Sequence, residues 1–222
     1  MVLECGVING VHIMGEIYSV LVKTDEMDRI VAINSSAFVS LDWGIKIDEG
    51  AGYRFHHAQN FYLEGSLMIQ GNIPRYKLEN NMPVLRSDEE IEADRLPMLR
   101  AAKQTANKKA LADWLAAHPL TWTDGNVYGT TKEDQDEMAL NYMQYQLAVS
   151  ANQPAVLEWH TQKKQCHTFT IEQYTALSLA IAAYVYPYRR YQEQVKAAIY
   201  TAESEAEIHA IEIDYGSVGA AA

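Results

Sequence analysis

Two cysteines among 222 residues, Cys5 and Cys166, are too few for a disulfide framework, and both read as free, passive thiols of a reducing compartment. Basic charge is also short. Lys and Arg number 18 against 29 Asp and Glu, for a net charge of −11. That sign repels phosphate backbones, and no basic stripe is interleaved with aromatics, so nucleic acid is not an expected partner. Long apolar runs are missing: the longest, Leu177–Val185, falls well short of the ~20 residues that cross a bilayer. No membrane partner is expected either. The N-terminus lacks the charged region and small-residue cleavage site of a signal peptide, so the chain reads as soluble and made in the cytoplasm. Hydrophobic residues make up 48% of it, enough for a real core, which excludes wholesale disorder.

Catalytic signatures are absent in the same way. There is no G-x-S-x-G elbow, no phosphate-cradling G-x-x-x-x-G-K-[ST] loop, no H-E-x-x-H and no paired C-x-x-C. Gly50 and Gly52 lack the strand–turn–helix setting of a dinucleotide fingerprint and count as turn chemistry. His56 and His57, adjacent on an expected strand, would point to opposite faces and could not share an ion. His160, Cys166 and His167 fall in an expected hairpin around Lys163-Lys164. A two-residue turn there pairs Thr161 with Cys166 and His160 with His167, leaving an aromatic cross-strand pair and no four-ligand zinc site. No two acidic residues stand out as a catalytic pair, and no internal repeat occurs. The expectation is a protein that is not an enzyme, with no catalytic residues, no metal and no cofactor.

What is present divides the chain. Residues 1–80 carry strand and turn signals. Glu16–Val22 and Arg29–Ile33 flank a polar turn, Gly44–Asp48 alternates strictly, and Asn60–Leu63 and Arg75–Leu78 are further short strand candidates. Composition changes at Met82–Ser87, read as an exposed linker. Ser87 with Glu90 then forms a capping box that opens a helix. Pro97 is expected to break that helix, and His118-Pro119 to end the second piece. From Leu120 a second domain follows. Thr130 with Glu133 caps a helix to about Ser150, a hairpin spans residues 156–169, and Thr170 with Gln173 caps the longest helix. The fold class is α+β: a β-rich module over 1–80, a linker and connecting helix over 81–118, a helical domain over 119–216 and a flexible tail over 217–222.

The longest helix has the clearest period. Tyr174, Leu177, Ile181, Tyr184, Tyr188, Tyr191, Val195 and Ala198 follow alternating three- and four-residue steps, a heptad seam. Either the seam packs on the helices at 97–118 and 131–150, or its tyrosine-rich part meets copies of itself. On the second reading Tyr184, Tyr188, Tyr191 and Val195 form an oligomer or partner interface, since broad aromatic surfaces are enriched there.

Two stretches resemble known families. Trp122-x-Asp124-Gly125-x-x-Tyr128, the start Thr131-Lys132-Glu133-Asp134-Gln135, Trp159-His160-Thr161 leading to Phe169-Thr170, and Tyr188-Arg189-Arg190 are similar to an uncharacterised domain family at the C-terminal ends of phage tail-fibre-type proteins. That likeness spans residues 119–202. Over residues 16–80, Asp28–Ser35, Ile45–Gly50, His56-His57-Ala58-Gln59 with Tyr62, and Arg75-Tyr76-Lys77 resemble a small N-terminal module of phage tail proteins. Residues 1–15 lie outside both and suit a docking arm. The resemblance implies a virion tail component (tail fibre, baseplate accessory or connector subunit), with other tail proteins as partners and assembly as a homo-oligomer, commonly a trimer. A tail-fibre assembly chaperone, absent from the finished particle, is the alternative.

Overall fold

The computed structural model describes residues 3–8, 11–163 and 165–219. The fold is α+β, with small sheets in the N-terminal half and long helices in the C-terminal half. It divides into two compact units, residues 1–97 and 98–222.

In the first unit β1 (Leu3–Ile8), β2 (Val11–Thr24), β3 (Ile30–Ser35) and β4 (Ile45–Ala51) form one antiparallel sheet centred on β2. The backbone of β1, expected as part of a docking arm, pairs with the start of β2, Leu3 opposite Glu16 and Ile8 opposite Val11. Successive strand residues face opposite sides. Val20, Leu21 and Val22 are all fully buried, so β2 is covered on both faces at this point. The β2–β3 turn is held by Asp25, whose Oδ1 accepts from the backbone N–H groups of Met27 and Arg29 at 3.0 and 3.1 Å. After β4 the chain turns at Gly52, φ +98°, a region that favours glycine. It enters two single turns, α1 (Tyr53–His56) and α2 (Ala58–Phe61). A Cβ on Gly50 would lie 2.6 Å from the Phe55 ring, so the absence of a side chain lets α1 close on β4.

Where a strand was expected over Asn60–Leu63, Asn60 and Phe61 close a helical turn and Tyr62 and Leu63 lie in the turn that follows, while His56-His57 leave a helix turn. Short helices of this kind have no period to display, because four residues complete only about one turn. β5 (Met68–Ile69) pairs with β6 (Ile73–Pro74), and β7 (Tyr76–Glu79) with β8 (Met82–Leu85). The expected linker thus begins as the second strand of a hairpin.

Ser87 and Glu90 make the reciprocal cap expected of them, with bonds of 2.9 and 3.2 Å. The helix they open, α3 (Asp88–Ala117), runs through Pro97 without a break. Proline removes one hydrogen bond, at about 3 kcal/mol in a helix interior. The turns on either side are anchored separately: Asp94 by Arg29 and Arg86, and the later turns by buried Asn107, Leu111 and Leu115.

The second unit continues with β9 (Leu120–Thr121) and β10 (Val127–Tyr128), then α4 (Lys132–Ser150), the hairpin β11 (Leu157–His160) and β12 (Cys166–Phe169), α5 (Ile171–Thr201) and α6 (Glu205–Ala210). The cap of α4 falls one residue later than expected, at Thr131 with Asp134. Thr130 is buried instead, its hydroxyl donating to the Leu115 carbonyl at 3.2 Å. The cap of α5 is Thr170 with Gln173, as its sequence spacing predicts. The core gathers Leu111, Leu115, Tyr128, Met138, Leu157, Trp159, Tyr174, Leu177, Ile181, Val185 and Tyr215. Tyr215 opens a short 3-10 helix, Tyr215–Gly219, in place of the start of a loose tail; residues 220–222 of that expected tail lie outside the described residues.

Candidate interaction surfaces

The face of α5 proposed from its tyrosines is occupied by the chain's own helix. Along the part of α3 after Pro97, side chains bond to α5 in antiparallel order. Arg100 Nη2 donates to the Ala202 carbonyl at 2.5 Å, Gln104 Nε2 to that of Lys196 at 3.1 Å, and Asn107 Nδ2 to that of Gln192 at 3.1 Å. Asn107 is 1% exposed, and its Oδ1 also accepts from the Tyr215 hydroxyl at 2.7 Å. A buried amide satisfied on both sides fixes register as well as stability.

The four interface candidates complete this ladder. The Tyr184 hydroxyl donates to the His118 carbonyl at 2.9 Å, and the Tyr188 ring lies 5.8 Å from Trp114. Tyr191 packs edge-on to Tyr215 at 5.2 Å, its hydroxyl accepting from the Asp214 N–H at 3.2 Å. Val195 is 6% exposed. Within the chain the seam packs on α3 and on Tyr215, with Val195 buried and Tyr184, Tyr188 and Tyr191 half-buried. The buried stripe also departs from a strict heptad. It runs through Val185 and ends on Ile199, while Ala198 is exposed. A straight helix has 3.6 residues per turn, so a stripe packed on a straight neighbour drifts off a 3.5-residue seam.

The histidine groups are arranged differently from the sequence expectation. His160 faces Cys166 and Trp159 faces His167, one residue out of the expected register. The loop holds three residues, because Thr161 N–H donates to the Gln165 carbonyl at 2.9 Å and Gln162 N–H to Val127 of β10 at 2.8 Å. Lys164, within that loop, lies outside the described residues. The loop is thereby tied to β10, a contact that the hairpin's own residues do not announce. Cys166 is a free, exposed thiol. Among the described residues no group of three or more His, Cys, Asp or Glu side chains is placed to hold a metal ion.

In the first unit His56 and His57 join a chain of aromatic rings. His56 meets Tyr18 at 4.7 Å and Phe38 at 5.1 Å, His57 meets Tyr53 at 4.5 Å, and Tyr53 meets Phe61 at 4.9 Å. Phe38, Tyr53 and Phe61 are exposed, so this is an apolar surface feature. Its members are scattered over forty-odd positions of sequence, and nothing short of the fold brings them together.

A separate open cleft of about 620 Å³ in this unit is lined by Asp48, Arg54, Tyr62, Tyr76 and Val84, among others. The Tyr62 hydroxyl donates to Asp48 at 2.8 Å, and the Arg54 guanidinium lies 4.8 Å over its ring. Burial, and then the bond to Asp48, push the phenol up to about 12. Tyr62 is therefore a neutral donor already committed to Asp48, which suits a structural bond better than proton transfer.

The surfaces and fold define an α+β protein with two units and exposed apolar faces. Residues 99–215 match the family described as the domain of unknown function DUF4376, and the chain belongs to that family. The match opens one residue into the second unit and closes on buried Tyr215. It is wider than the 119–202 read from motifs, because it includes the α3 turns that clasp α5. No curated protein and no solved structure matches the chain. No helix among the described residues is long and apolar enough to cross a membrane.

Proposed function

We propose that the protein is a non-enzymatic structural component of a bacteriophage tail, a tail fibre, baseplate accessory or connector subunit. It acts through contacts with other tail proteins and with copies of itself, in the virion tail after synthesis in the host cytoplasm. The observation that carries the contact reading is the set of large apolar side chains left outside: Leu140, Met143 and Leu147 on α4, and Leu179, Tyr186 and Tyr200 on α5. Contiguous exposed apolar surface is a mark of interaction sites. Placement in a tail rests on the sequence resemblances of residues 16–80 and 119–202.

Mass spectrometry of purified virions tests the reading. Stoichiometric presence, with antibody labelling on the tail, is the expected result. Presence in infected lysates together with fibre proteins, but absence from particles, would replace the structural role with that of an assembly chaperone.

A further inference from the structure

Helix α5 carries a second heptad seam on the side away from its buried face. Leu179, Ala183, Tyr186, Arg190, Glu193, Ala197 and Tyr200 follow one another at alternating four- and three-residue steps, and all seven are exposed. Leu179, Tyr186 and Tyr200 are 65%, 66% and 80% exposed. An apolar seam repeating every 3.5 residues on an exposed helix face matches another helix crossing at about 20°.

The order of residues along this seam complements its own reverse. Laid antiparallel on a second copy, with Arg190 opposite Glu193 of that copy, two further layers follow without adjustment, while Leu179 falls opposite Ser204, past the end of α5, and stays outside the stripe. Tyr186 meets Ala197, Ala183 meets Tyr200, and the two-fold axis repeats each layer, giving six in all. Each large ring lies over a methyl group, the alternation of large and small that lets facing layers interdigitate. Positions 183 and 200 lie about 26 Å apart at ~1.5 Å per residue, so the six layers form one continuous stripe.

Charge selects this orientation. Arg190 has no hydrogen-bond or ion-pair partner among the described residues. Glu193 holds only the flexible Lys196 of its own helix at 3.0 Å. Antiparallel pairing supplies two Arg–Glu contacts at the centre. Parallel pairing, of two helices or three, would set Arg190 on Arg190, Glu193 on Glu193 and tyrosine on tyrosine. Polar groups inside a seam are the best-attested way to specify register and strand number. A face that matches itself under a two-fold axis is also what an isologous dimer requires.

We infer that the protein forms a two-fold homodimer through antiparallel packing of the outer face of α5, and not through Tyr184, Tyr188 and Tyr191. This pairing does not rest on the tail reading; either can fail alone. Sedimentation velocity and light scattering on the full chain test it, with circular dichroism to confirm folding. The unmutated protein runs as a dimer. Arg190→Glu and Glu193→Arg each place like charges opposite one another and raise the dimer dissociation constant at least about tenfold while leaving helix content unchanged. The two variants mixed together re-form a dimer, as does the double variant carrying both changes, because each restores opposite charges across the axis. Rescue by the swap separates an interface from a merely structural effect, whatever either single variant does to folding. A monomer at every concentration, a trimer, a dimer indifferent to both reversals, or reversals that neither mixing nor the swap rescues would each overturn the pairing.

Discussion

In residues 1–97 an apolar cluster gathers six buried side chains, Val20, Val22, Ile30, Ile33, Ala58 and Tyr76, around one central strand. Beside it runs a chain of charges. Asp25 binds Arg29 at 2.6 Å, and Arg29 and Arg86 both reach Asp94 Oδ2 at 2.8 Å. The Arg86 side chain, 5% exposed, also donates to the carbonyls of Pro74 and Glu90. In residues 98–222 the core is larger and more aromatic, and the polar groups inside it are amides and hydroxyls bonded mostly to backbone carbonyls. The contrast follows from the elements. Short strands and single turns offer little area to bury, so a paired guanidinium network fastens loop to helix; long helices bury whole stripes and need polar groups mainly for register.

The comparison breaks most visibly at Tyr174. Its ring is buried among Trp159, Phe169 and Tyr142, and its hydroxyl donates to the Met138 carbonyl at 3.0 Å. Tyr174→Ala should cost about 3–5 kcal/mol, in the range of aromatic-to-alanine changes in cores. Three of the four tryptophans lie in this unit, so their fluorescence transition should move while exchange protection of β2 and β3 stays. If both move together, the two units unfold as one.

Asp94→Ala is the matching test of the first unit. It strands a buried guanidinium that keeps only its two carbonyl acceptors, and a loss of about 2–3 kcal/mol is expected, since broken buried ion pairs leave an uncompensated charge. Hydrogen exchange at the β2–β3 turn should quicken most; unchanged protection there would mean that the network adds little.

Thr170→Ala removes the reciprocal cap of α5 and should cost about 1 kcal/mol, read as a lower thermal midpoint with unchanged helix content. A similar cost at Thr131 would show that the two caps are worth the same; a null effect at both would place helix stability wholly in packing.

The remaining test is alkaline. Burial, and then the bond to Asp124, push Tyr128 up to about 12, and burial with nearby Tyr191 does the same for Tyr215. Tyr62 is the corresponding group of the first unit. A phenol raised in the folded state contributes stability that is complete below its unfolded value near 10 and is lost as pH rises toward 12. Urea midpoints should therefore fall between pH 10 and 12, further for the second unit than for the first. Acid acts the other way at Asp25. Burial raises its carboxyl, but bonds from the Arg29 side chain and two backbone N–H groups outweigh that and hold it low, so its contribution fades only as pH drops below the usual carboxylate range.

Much of this architecture is legible in the amino-acid sequence. The strands at Glu16–Val22 and Arg29–Ile33, the caps at Ser87 and Thr170 and the long helix α5 all rest on patterns of near neighbours in one segment, where local rules act. The places where the structure departs from the local pattern share another cause. Asn60 and Phe61 lie in a single helical turn too short to show a period, the loop of the 160/166 hairpin is bonded to distant Val127, and Pro97 is carried inside a helix anchored on both sides.

The amino-acid sequence by itself determined the α+β class, the capped starts of α3 and α5 and the two seams of α5, because periodicity and capping are properties of neighbouring residues. Which seam would be covered was not among them. Both repeat with similar spacing, and the tyrosines of the inner one look no less available than those of the outer. Only the tertiary structure decided that Arg100, Gln104 and Asn107 bind the α5 backbone along one side, burying Val195 and half-burying Tyr184, Tyr188 and Tyr191, while Tyr186, Arg190, Glu193 and Tyr200 face outward. The reason is that burial depends on which partner is within reach, and α3 reaches α5 only after some fifty intervening residues have folded between them.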